Sequence, residues 1–339
     1  MRIIIATGIY PPHIGGPAQY AKGLEEALSM NGIGVRVLTY RLERGLPTGL
    51  RHLLFFMRVL FALPRYDAVI ALDTFSVGFP TVCAARLLGK KVIIRTGGDF
   101  LWEGYVERTG DKILLRNFYE TTRRKWNLKE RLIYRLTKWT LQNVNALVFS
   151  TKWQREIFEK AYNLDPKKSK IIENFYGSKL KSEDPRTNTR AKTFVAGTRS
   201  LKWKNLDTLE RAFDEAKVKD PQLFLDTGNL PYEQFLDKIK HSYAVILVSL
   251  GDISPNMILD ALRFGKPFIL TRETGLYERL KDVGLFVDPL DRKDIESKIL
   301  MLADSSKYEI YKRKSELYSF THSFEEIAAE FLQILENKS

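Results

Sequence analysis

Cysteine, histidine and long apolar runs are scarce in this sequence. The 339 residues include one cysteine, Cys83, and four histidines, none spaced as a metal-ligand pair. A disulfide scaffold is therefore excluded, and no zinc motif is present. Arg58 interrupts the longest apolar run, so no segment reaches the length of a membrane span. These absences predict a globular protein of a reducing, cytoplasmic setting, and Met1 leads into a predicted strand, not into a signal peptide.

Positive charge is in excess, with 54 Lys and Arg against 41 Asp and Glu, a formal net charge of +13. Between Glu107 and Lys138 there are ten Lys or Arg and four Asp or Glu. This excess favours an anionic partner (phosphate, an acidic lipid surface or nucleic acid), although a solvated basic face is the alternative. Aromatic residues are interleaved at helical spacing, which favours core positions over nucleic-acid binding. They are Tyr119, Trp126, Tyr134 and Trp139.

Residues 50–63 are apolar around most of a predicted helix. Arg51, Arg58 and Arg65 recur every seven residues along one side of it. One interpretation is a basic stripe, next to phenylalanines, that rests on an anionic bilayer. The other, which is the commoner case for such helices, is a core helix with one exposed side.

Strand and helix patterns alternate in both halves of the chain, which predicts two parallel sheets covered by helices. Residues 178–192 lose all apolar periodicity and are the predicted linker. No low-complexity segment or short-period repeat suggests another architecture.

The stretch 249–267 is predicted to pass from a buried strand, residues 244–248, through a loop into a helix. Ser254 is the predicted N-cap, Pro255 the first helical residue and Gly265 the end of the helix. Asp252 then lies at the carboxyl end of a strand, and Asp260, eight positions on, lies within the helix. Open α/β sheets bind ligands at that edge. A turn residue and a solvated helix residue are the alternative explanation of this pair.

Three further strand-to-helix loops carry polar groups. Gly15 and Gly16 precede a predicted helix, where the backbone can approach a phosphate, although a plain turn explains them too. Arg199 and Lys204 flank a loop in the second half, where two cations could neutralise a diphosphate; an exposed basic loop is the alternative. Asp99 ends another strand and suits a hydroxylated substrate or an ordinary turn.

Together these motifs resemble the nucleotide-sugar glycosyltransferases of GT-B architecture, in the large retaining group called family 4. The resemblance covers nearly the whole chain. It is carried by Pro11-Pro12-His13-Ile14-Gly15-Gly16, Asn174, Gly197-Thr198-Arg199 with Lys204-Asn205, the stretch 252–267, and Thr321-His322-Ser323-Phe324-Glu325-Glu326. The sequence departs from the family at four positions. Asp252 and Asp260 stand where the family has its two signature glutamates, and Phe175 and Ile253 stand where it has glycines.

The resemblance implies an α/β fold of two Rossmann-like, doubly wound parallel-sheet domains that face each other across a cleft. Residues 1–177 would be the acceptor-side domain, 178–192 the linker, and 193–321 the domain that binds the nucleotide sugar. A final helix, 322–338, would pack back on the first domain, and Ser323 with Glu326 would form its capping box.

It also implies roles for individual residues. Arg199 and Lys204 would stabilise the departing diphosphate with the amides of Gly15 and Gly16, Asp252 would contact the sugar, and Asp260 the ribose. The expected catalytic residues are Asp99, Arg199, Lys204 and Asp252. The expected donor-binding residues are Gly15, Gly16, Arg199, Lys204, Asp252, Ile253, Ser254, Asn256 and Asp260. The acceptor-side candidates are His13, Asp99, Trp102, Glu103 and Asn174.

The implied activity is transfer of a sugar, with retention, from a nucleotide-diphosphate donor to a glycan, lipid-linked or polysaccharide acceptor. We expect no cofactor and, since the sequence has no Asp-x-Asp pair, no metal. We expect a cytoplasmic protein with a possible peripheral position on an anionic membrane, and nucleic acid is not favoured as a partner. The alternatives are a catalytically degenerate nucleotide-sugar-binding protein and a sugar-nucleotide epimerase on the same fold. A phosphorylase would need a much longer chain.

Overall fold

The computed structural model describes residues 1–13, 15–40, 42–181, 191–197, 200–228 and 230–336. Residues 182–190 of the predicted linker lie outside the described residues. The chain divides into two compact units. The first unit contains Met1–Leu101, Arg124–Phe175 and His322–Ser339, and the second contains Trp102–Arg123 and Tyr176–Thr321.

The described ranges contain strands and helices in regular alternation. The strands are β1 (Arg2–Thr7), β2 (Gly34–Thr39), β3 (Ala68–Ala71), β4 (Lys91–Arg95), β5 (Ala146–Phe149), β6 (Ser169–Ile171), β7 (Lys192–Val195), β8 (Leu223–Asp226), β9 (Ala244–Leu247), β10 (Phe268–Thr271) and β11 (Leu285–Val287). The helices are α1 (Gly16–Met30), α2 (Thr48–Ala62), α3 (Gly78–Leu87), α4 (Phe100–Thr109), α5 (Leu115–Thr121), α6 (Leu128–Gln142), α7 (Lys152–Tyr162), α8 (Leu206–Lys219), α9 (Tyr232–His241), α10 (Asn256–Arg263), α11 (Tyr277–Leu280), α12 (Arg292–Ala303), α13 (Ser305–Leu317) and α14 (Phe324–Glu336). None of these helices is long and apolar enough to cross a membrane.

The first unit is built on a six-stranded parallel sheet in the order β2-β1-β3-β4-β5-β6. Right-handed crossovers place α1 on one face and α2, α3, α6 and α7 on the other, because the chain reverses its direction across the sheet after β2. On the first face, α14 packs against α1, and together they bury a core over the sheet. A Cβ at Gly23 of α1 would lie only 2.4 Å from the Phe324 ring, so a glycine is needed for this close approach.

The second unit is built on a five-stranded parallel sheet in the order β11-β10-β9-β7-β8. One core lies between this sheet and α8 with α12, and a second lies between the sheet and α9 with α10. Two parallel sheets, each covered by helices on both faces, confirm the predicted fold class.

Several helix ends follow local signals in the sequence. The predicted capping box of α14 is confirmed, since Ser323 N donates to Glu326 Oε2 at 2.6 Å and Glu326 N to Ser323 Oγ at 3.2 Å. Gly265 has the left-handed conformation predicted at the end of α10, with φ of 63°. The predicted start of α10 is wrong by one residue: Pro255 is the N-cap and Asn256 the first helical residue, so Ser254 does not cap the helix.

The exposed side of α2 does not carry the arginine stripe that was one of the two interpretations of its sequence. Arg58 pairs with the buried carboxylate of Glu43, and Arg51 lies 5.5 Å from the centre of the Tyr40 ring. The buried charge of Glu43 draws Arg58 inward, while the Arg51 guanidinium is held by backbone carbonyls, including that of Leu46 at 3.2 Å. Both side chains are half-buried, so a continuous basic stripe is not on the surface.

Candidate functional site

The carboxyl edge of the second sheet has its topological switch point between β7 and β9. From β7 the chain runs outward to β8 in one direction, and β9, β10 and β11 follow in the other. Ligands bind at such points in open α/β sheets, because the loops that follow the two central strands diverge there. The loop after β7 contains Lys204, and the loop after β9 contains Asp252. Both residues were predicted as donor contacts.

Lys204 and Asp252 form a close ion pair at this point. Lys204 Nζ lies 2.6 Å from Asp252 Oδ2, and the two side chains are only 14% and 12% exposed. Asp252 is fixed by its backbone, since its amide donates to Glu273 O at 2.8 Å. The lysine has further protons to donate and the carboxylate a further oxygen, so the pair can bind a ligand without coming apart.

Asn205 follows Lys204 in the chain and fixes the conformation of the loop that contains it. It has a left-handed backbone, φ of 59°, and is fully buried. Its side-chain amide donates to Val248 O at 3.2 Å and to Pro289 O at 2.8 Å. Its carbonyl oxygen accepts from Thr208 Oγ1 at 2.6 Å. Asn205 therefore ties the loop after β7 to the end of β9, which holds Lys204 in place.

Two tryptophans lie beside the ion pair. The Lys204 ammonium is 4.2 Å from the centre of the Trp203 ring, within the range of a cation–π interaction. Trp203 packs on Trp102, with ring centres 5.6 Å apart. Trp102 was predicted on the acceptor side; the structure places it in the second unit, against the loop of Lys204. Glu103 follows it in α4 and is half-buried.

Glu273, at the carboxyl end of β10, was missed by the sequence reasoning. Its carboxylate is buried and accepts from Arg116 Nε at 2.7 Å. Burial raises the pKa of Glu273, and the hydrogen bond and charge of Arg116 offset only part of that rise. The available signal was an acidic residue just after a predicted strand, the same signal that singled out Asp252.

Asp260 lies on α10 with its carboxylate buried. It accepts from Tyr232 Oη at 3.1 Å and from Arg263 at 3.1 Å. Burial raises the pKa of Asp260 even though Arg263 lowers it. Tyr232 begins α9, which follows β8 at the same sheet edge, and its ring is partly exposed. The other predicted donor contacts of this loop are Ile253, which is buried, Ser254, half-buried, and Asn256, exposed.

The first unit has a switch point of its own between β1 and β3. The loop after β1 ends at Gly15, whose φ of 142° favours glycine, and Gly16 begins α1. In the same loop His13 is exposed. The loop after β3 supplies Asp73, which the sequence reasoning also missed; its carboxylate accepts from the amides of Val77 and Gly78.

The other predicted residues of this unit are engaged inside it. Asp99 is buried, and its Oδ1 accepts from Leu101 N at 3.1 Å at the start of α4. Asn174 Oδ1 accepts from Arg95 Nη2 at 2.5 Å. The Arg95 guanidinium in turn lies 4.0 Å from the centre of the Tyr20 ring. Through these contacts Asp99 and Asn174 stabilise the first unit, in addition to any contact with a ligand.

Arg199, the second predicted phosphate contact, lies outside the described residues. Within the described ranges, no group of three or more His, Cys, Asp or Glu side chains is arranged to hold a metal ion.

No protein-family model matches this chain, and no curated protein has a significantly similar sequence. Solved structures do share its fold. Sucrose-phosphate synthase from Thermosynechococcus elongatus superposes with a TM-score of 0.72 at 12% identity, over 98% of each chain. Anabaena Alr3699/HepE in complex with UDP and glucose gives 0.70 at 14% identity, over 99% of each chain. WaaG, a glycosyltransferase involved in lipopolysaccharide biosynthesis, gives 0.67 at 10%, over 99% of this chain and 100% of that one.

A protein described as a UDP-N-acetylglucosamine 2-epimerase, from Listeria monocytogenes, also superposes, with a TM-score of 0.60 at 13% identity over 98% of this chain and 94% of that one. Identities this low establish the fold and leave the reaction open. The chain thus has the two parallel-sheet α/β architecture found in GT-B glycosyltransferases.

Proposed function

We propose that this protein is a glycosyltransferase that moves a sugar from a nucleotide-diphosphate donor to a glycan, lipid-linked or polysaccharide acceptor. The observation that carries the proposal is the Lys204–Asp252 pair, nearly buried at the switch point of the second sheet. A cation fixed at that position stabilises the negative charge that develops on a departing diphosphate. A carboxylate beside it accepts hydrogen bonds from sugar hydroxyls. The solved structures with this fold include one with bound UDP and glucose, which supports a nucleotide-sugar donor.

The remaining roles extend from this pair. Arg199 is proposed as a second phosphate contact, and the amides at Gly15 and Gly16 as a third. Asp260 is proposed to reach the donor ribose in part through Tyr232, whose hydroxyl it holds at 3.1 Å. This relay compensates for the missing methylene of Asp relative to the family's Glu. Glu273, adjacent through its backbone to Asp252, is proposed as a further sugar contact.

We further propose retention of the anomeric configuration, no metal requirement and no cofactor. The support is the resemblance of the motifs to family 4. Proton NMR of the product determines the anomeric configuration, and unchanged turnover in excess EDTA checks the metal. We also propose that the protein works in the cytoplasm, next to an anionic membrane when its acceptor is carried by a lipid.

Thermal unfolding in a panel of UDP, GDP, ADP and dTDP sugars tests the central claim, because a ligand that binds only the folded state raises the melting temperature. We expect one class of donor to stabilise the protein and Lys204→Met to remove that stabilisation. Transfer should fall about a hundredfold in this variant, the usual cost of a lost oxyanion contact. The matched control is Lys217→Met, an exposed lysine on α8. No stabilisation by any nucleotide sugar contradicts the proposal.

Epimerisation of a sugar nucleotide is the second candidate, because an epimerase has the same fold. Incubation of the preferred donor without acceptor distinguishes the two reactions. A glycosyltransferase returns the donor unchanged or slowly hydrolysed, whereas an epimerase yields the C2 epimer, which NMR resolves. Donor binding without either reaction identifies a degenerate binding protein.

A further inference from the structure

An exposed apolar stripe runs along α2 in the first unit. Positions four, three and four residues apart share one side of a helix, and large apolar residues occupy that side here. The stripe consists of Leu50, Leu54, Met57 and Phe61, with Leu53 at its edge. Phe61 is 73% exposed, so this is not the outer rim of a buried core. An apolar stripe of this length on a water-soluble surface indicates a partner.

A second stripe runs along α6. Leu128, Leu132 and Trp139 are exposed on one side of this helix, and Leu128 is 86% exposed. Arg135 lies on the same side. The sequence predicted Trp139 as a core residue, and its exposure shows that α6 presents an aromatic ring and a cation together. Tryptophan and arginine are both favoured at the interface between water and lipid.

The two stripes belong to one surface. Helix α3 packs against both α2 and α6, and the right-handed crossovers place all three on one face of the sheet. Phe79 of α3 makes the connection: its ring centre lies 6.0 Å from that of His52 on α2 and 5.9 Å from that of Trp139 on α6.

The exposed charge of α6 has one sign. Its four Lys or Arg include Lys129 and Arg135, which are exposed, whereas both arginines of α2 are half-buried and engaged by contacts within the first unit. The single acid in the three helices is Glu130, which is buried in the capping box of α6. A hydrophobic protein partner would not require this bias, whereas an anionic surface does.

We propose that the exposed stripes of α2 and α6, together called the docking surface, bind the surface of an anionic lipid bilayer. The apolar side chains enter the region between headgroups and acyl chains, and the cations of α6, including Lys129 and Arg135, contact lipid phosphates. The docking surface is where the membrane named under the proposed function would bind. The argument for it depends only on the exposed residues of α2 and α6, and not on the proposed transferase activity.

Flotation of the full chain with vesicles tests the proposal. The probes are vesicles of phosphatidylcholine alone and vesicles of phosphatidylcholine with phosphatidylglycerol. We expect binding to the anionic vesicles, weakening as salt is added, and little binding to the neutral ones. Leu54→Ser with Phe61→Ser should weaken binding about tenfold, because two side chains leave the apolar layer. Lys129→Glu with Arg135→Glu should weaken it about tenfold by repulsion.

Two matched controls keep the experiment specific. Met30→Ser removes an exposed apolar residue on α1, on the other face of the sheet, and Val218→Ser removes one on α8, in the second unit. Both should bind like the parent chain. Circular dichroism checks that every variant is folded, which is expected because all the altered positions are exposed.

Three outcomes overturn the proposal. Equal binding to neutral and anionic vesicles removes the role of charge, and unchanged binding by the Leu54/Phe61 variant removes the role of the stripe. Absence of vesicle binding together with a dimer that Phe61→Ser dissociates assigns the docking surface to a second copy of this chain. Stabilisation by a nucleotide sugar, measured on the same variants, reports separately on the proposed function and should not change.

Discussion

Gly251 lies at a close contact between two parts of the second unit that are distant in the chain. A Cβ there would lie 2.7 Å from Leu115 Cβ and 3.2 Å from Trp102 Cη2. The next residue is Asp252, so this contact lies beside the proposed site. Any side chain at position 251 has to displace α5 or the Trp102 ring.

We therefore predict that Gly251→Ala destabilises the protein by about 1–3 kcal/mol, the usual cost of overpacking. The matched control is Gly104→Ala on α4, where a Cβ meets no atom of the described residues within 4 Å. That change should stabilise the helix by about 0.5–1 kcal/mol through its higher helix propensity. Urea unfolding measures both. Equal effects of the two changes would show that the segment containing Trp102 does not pack here.

Other residues of the site show why local patterns reach only part of it. Asp252 and Lys204 were identified because each follows a strand, which is a property of the sequence. The Tyr232–Asp260 contact joins positions 28 residues apart, and Arg116–Glu273 joins positions 157 apart. A periodic pattern of apolar residues gives no information about contacts between residues so far apart in the sequence, so these partners were not predicted.

Among the elements, those with strong local signals were predicted well. The capping box of α14 and the left-handed Gly265 depend on neighbouring residues alone, and the structure confirms both. Helix α2 was harder, because its apolar residues surround it and periodicity does not tell which side is buried. Glu43, outside the helix, determines that side by holding Arg58.

Helix α5 is attached to the end of β10 by the Arg116–Glu273 ion pair. The stabilisation that this pair provides should depend on pH. The pKa of Glu273 is raised by burial, so its ionised form is disfavoured in the folded protein. The contribution of Glu273 to the free energy of unfolding is therefore fully present below the unfolded pKa, about 4.3, where the residue is protonated. This contribution is lost as the pH rises through the folded pKa. Removing Arg116 raises that pKa further and enlarges the loss.

Arg116→Ala should thus cost about 1 kcal/mol at neutral pH, a modest value because the arginine is half-exposed. The difference from the parent chain should shrink as the pH falls through the folded pKa of Glu273, which lies above the ordinary value of about 4.3. Thermal unfolding across this range measures it, with Arg313→Ala, an exposed position on α13, as the control. A difference that is constant with pH would contradict the assigned role of Glu273.

For the whole molecule, the alternation of strands and helices was enough to predict two parallel sheets. The same alternation could not predict which residues belong to each unit. Residues 102–123 lie between β4 and β5 in the chain, yet they group with the second unit. Their contacts there are specific: Leu115 N donates to Leu250 O at 3.3 Å, Lys112 pairs with Asp207 at 2.7 Å, and Lys202 N donates to Glu107 at 2.7 Å.

The composition of the second unit predicts how a fragment of it should unfold. A fragment of residues 176–321 lacks the partner of Trp203 and the side chain that covers Gly251. The same fragment with residues 102–123 joined to it through a Gly/Ser linker should be more stable by on the order of 3 kcal/mol, from burial of Trp102 and Leu115. Circular dichroism during thermal unfolding measures the difference. Leu115→Asp in the joined fragment is the control and should remove most of the gain; equal midpoints for all three fragments would assign the segment to the first unit.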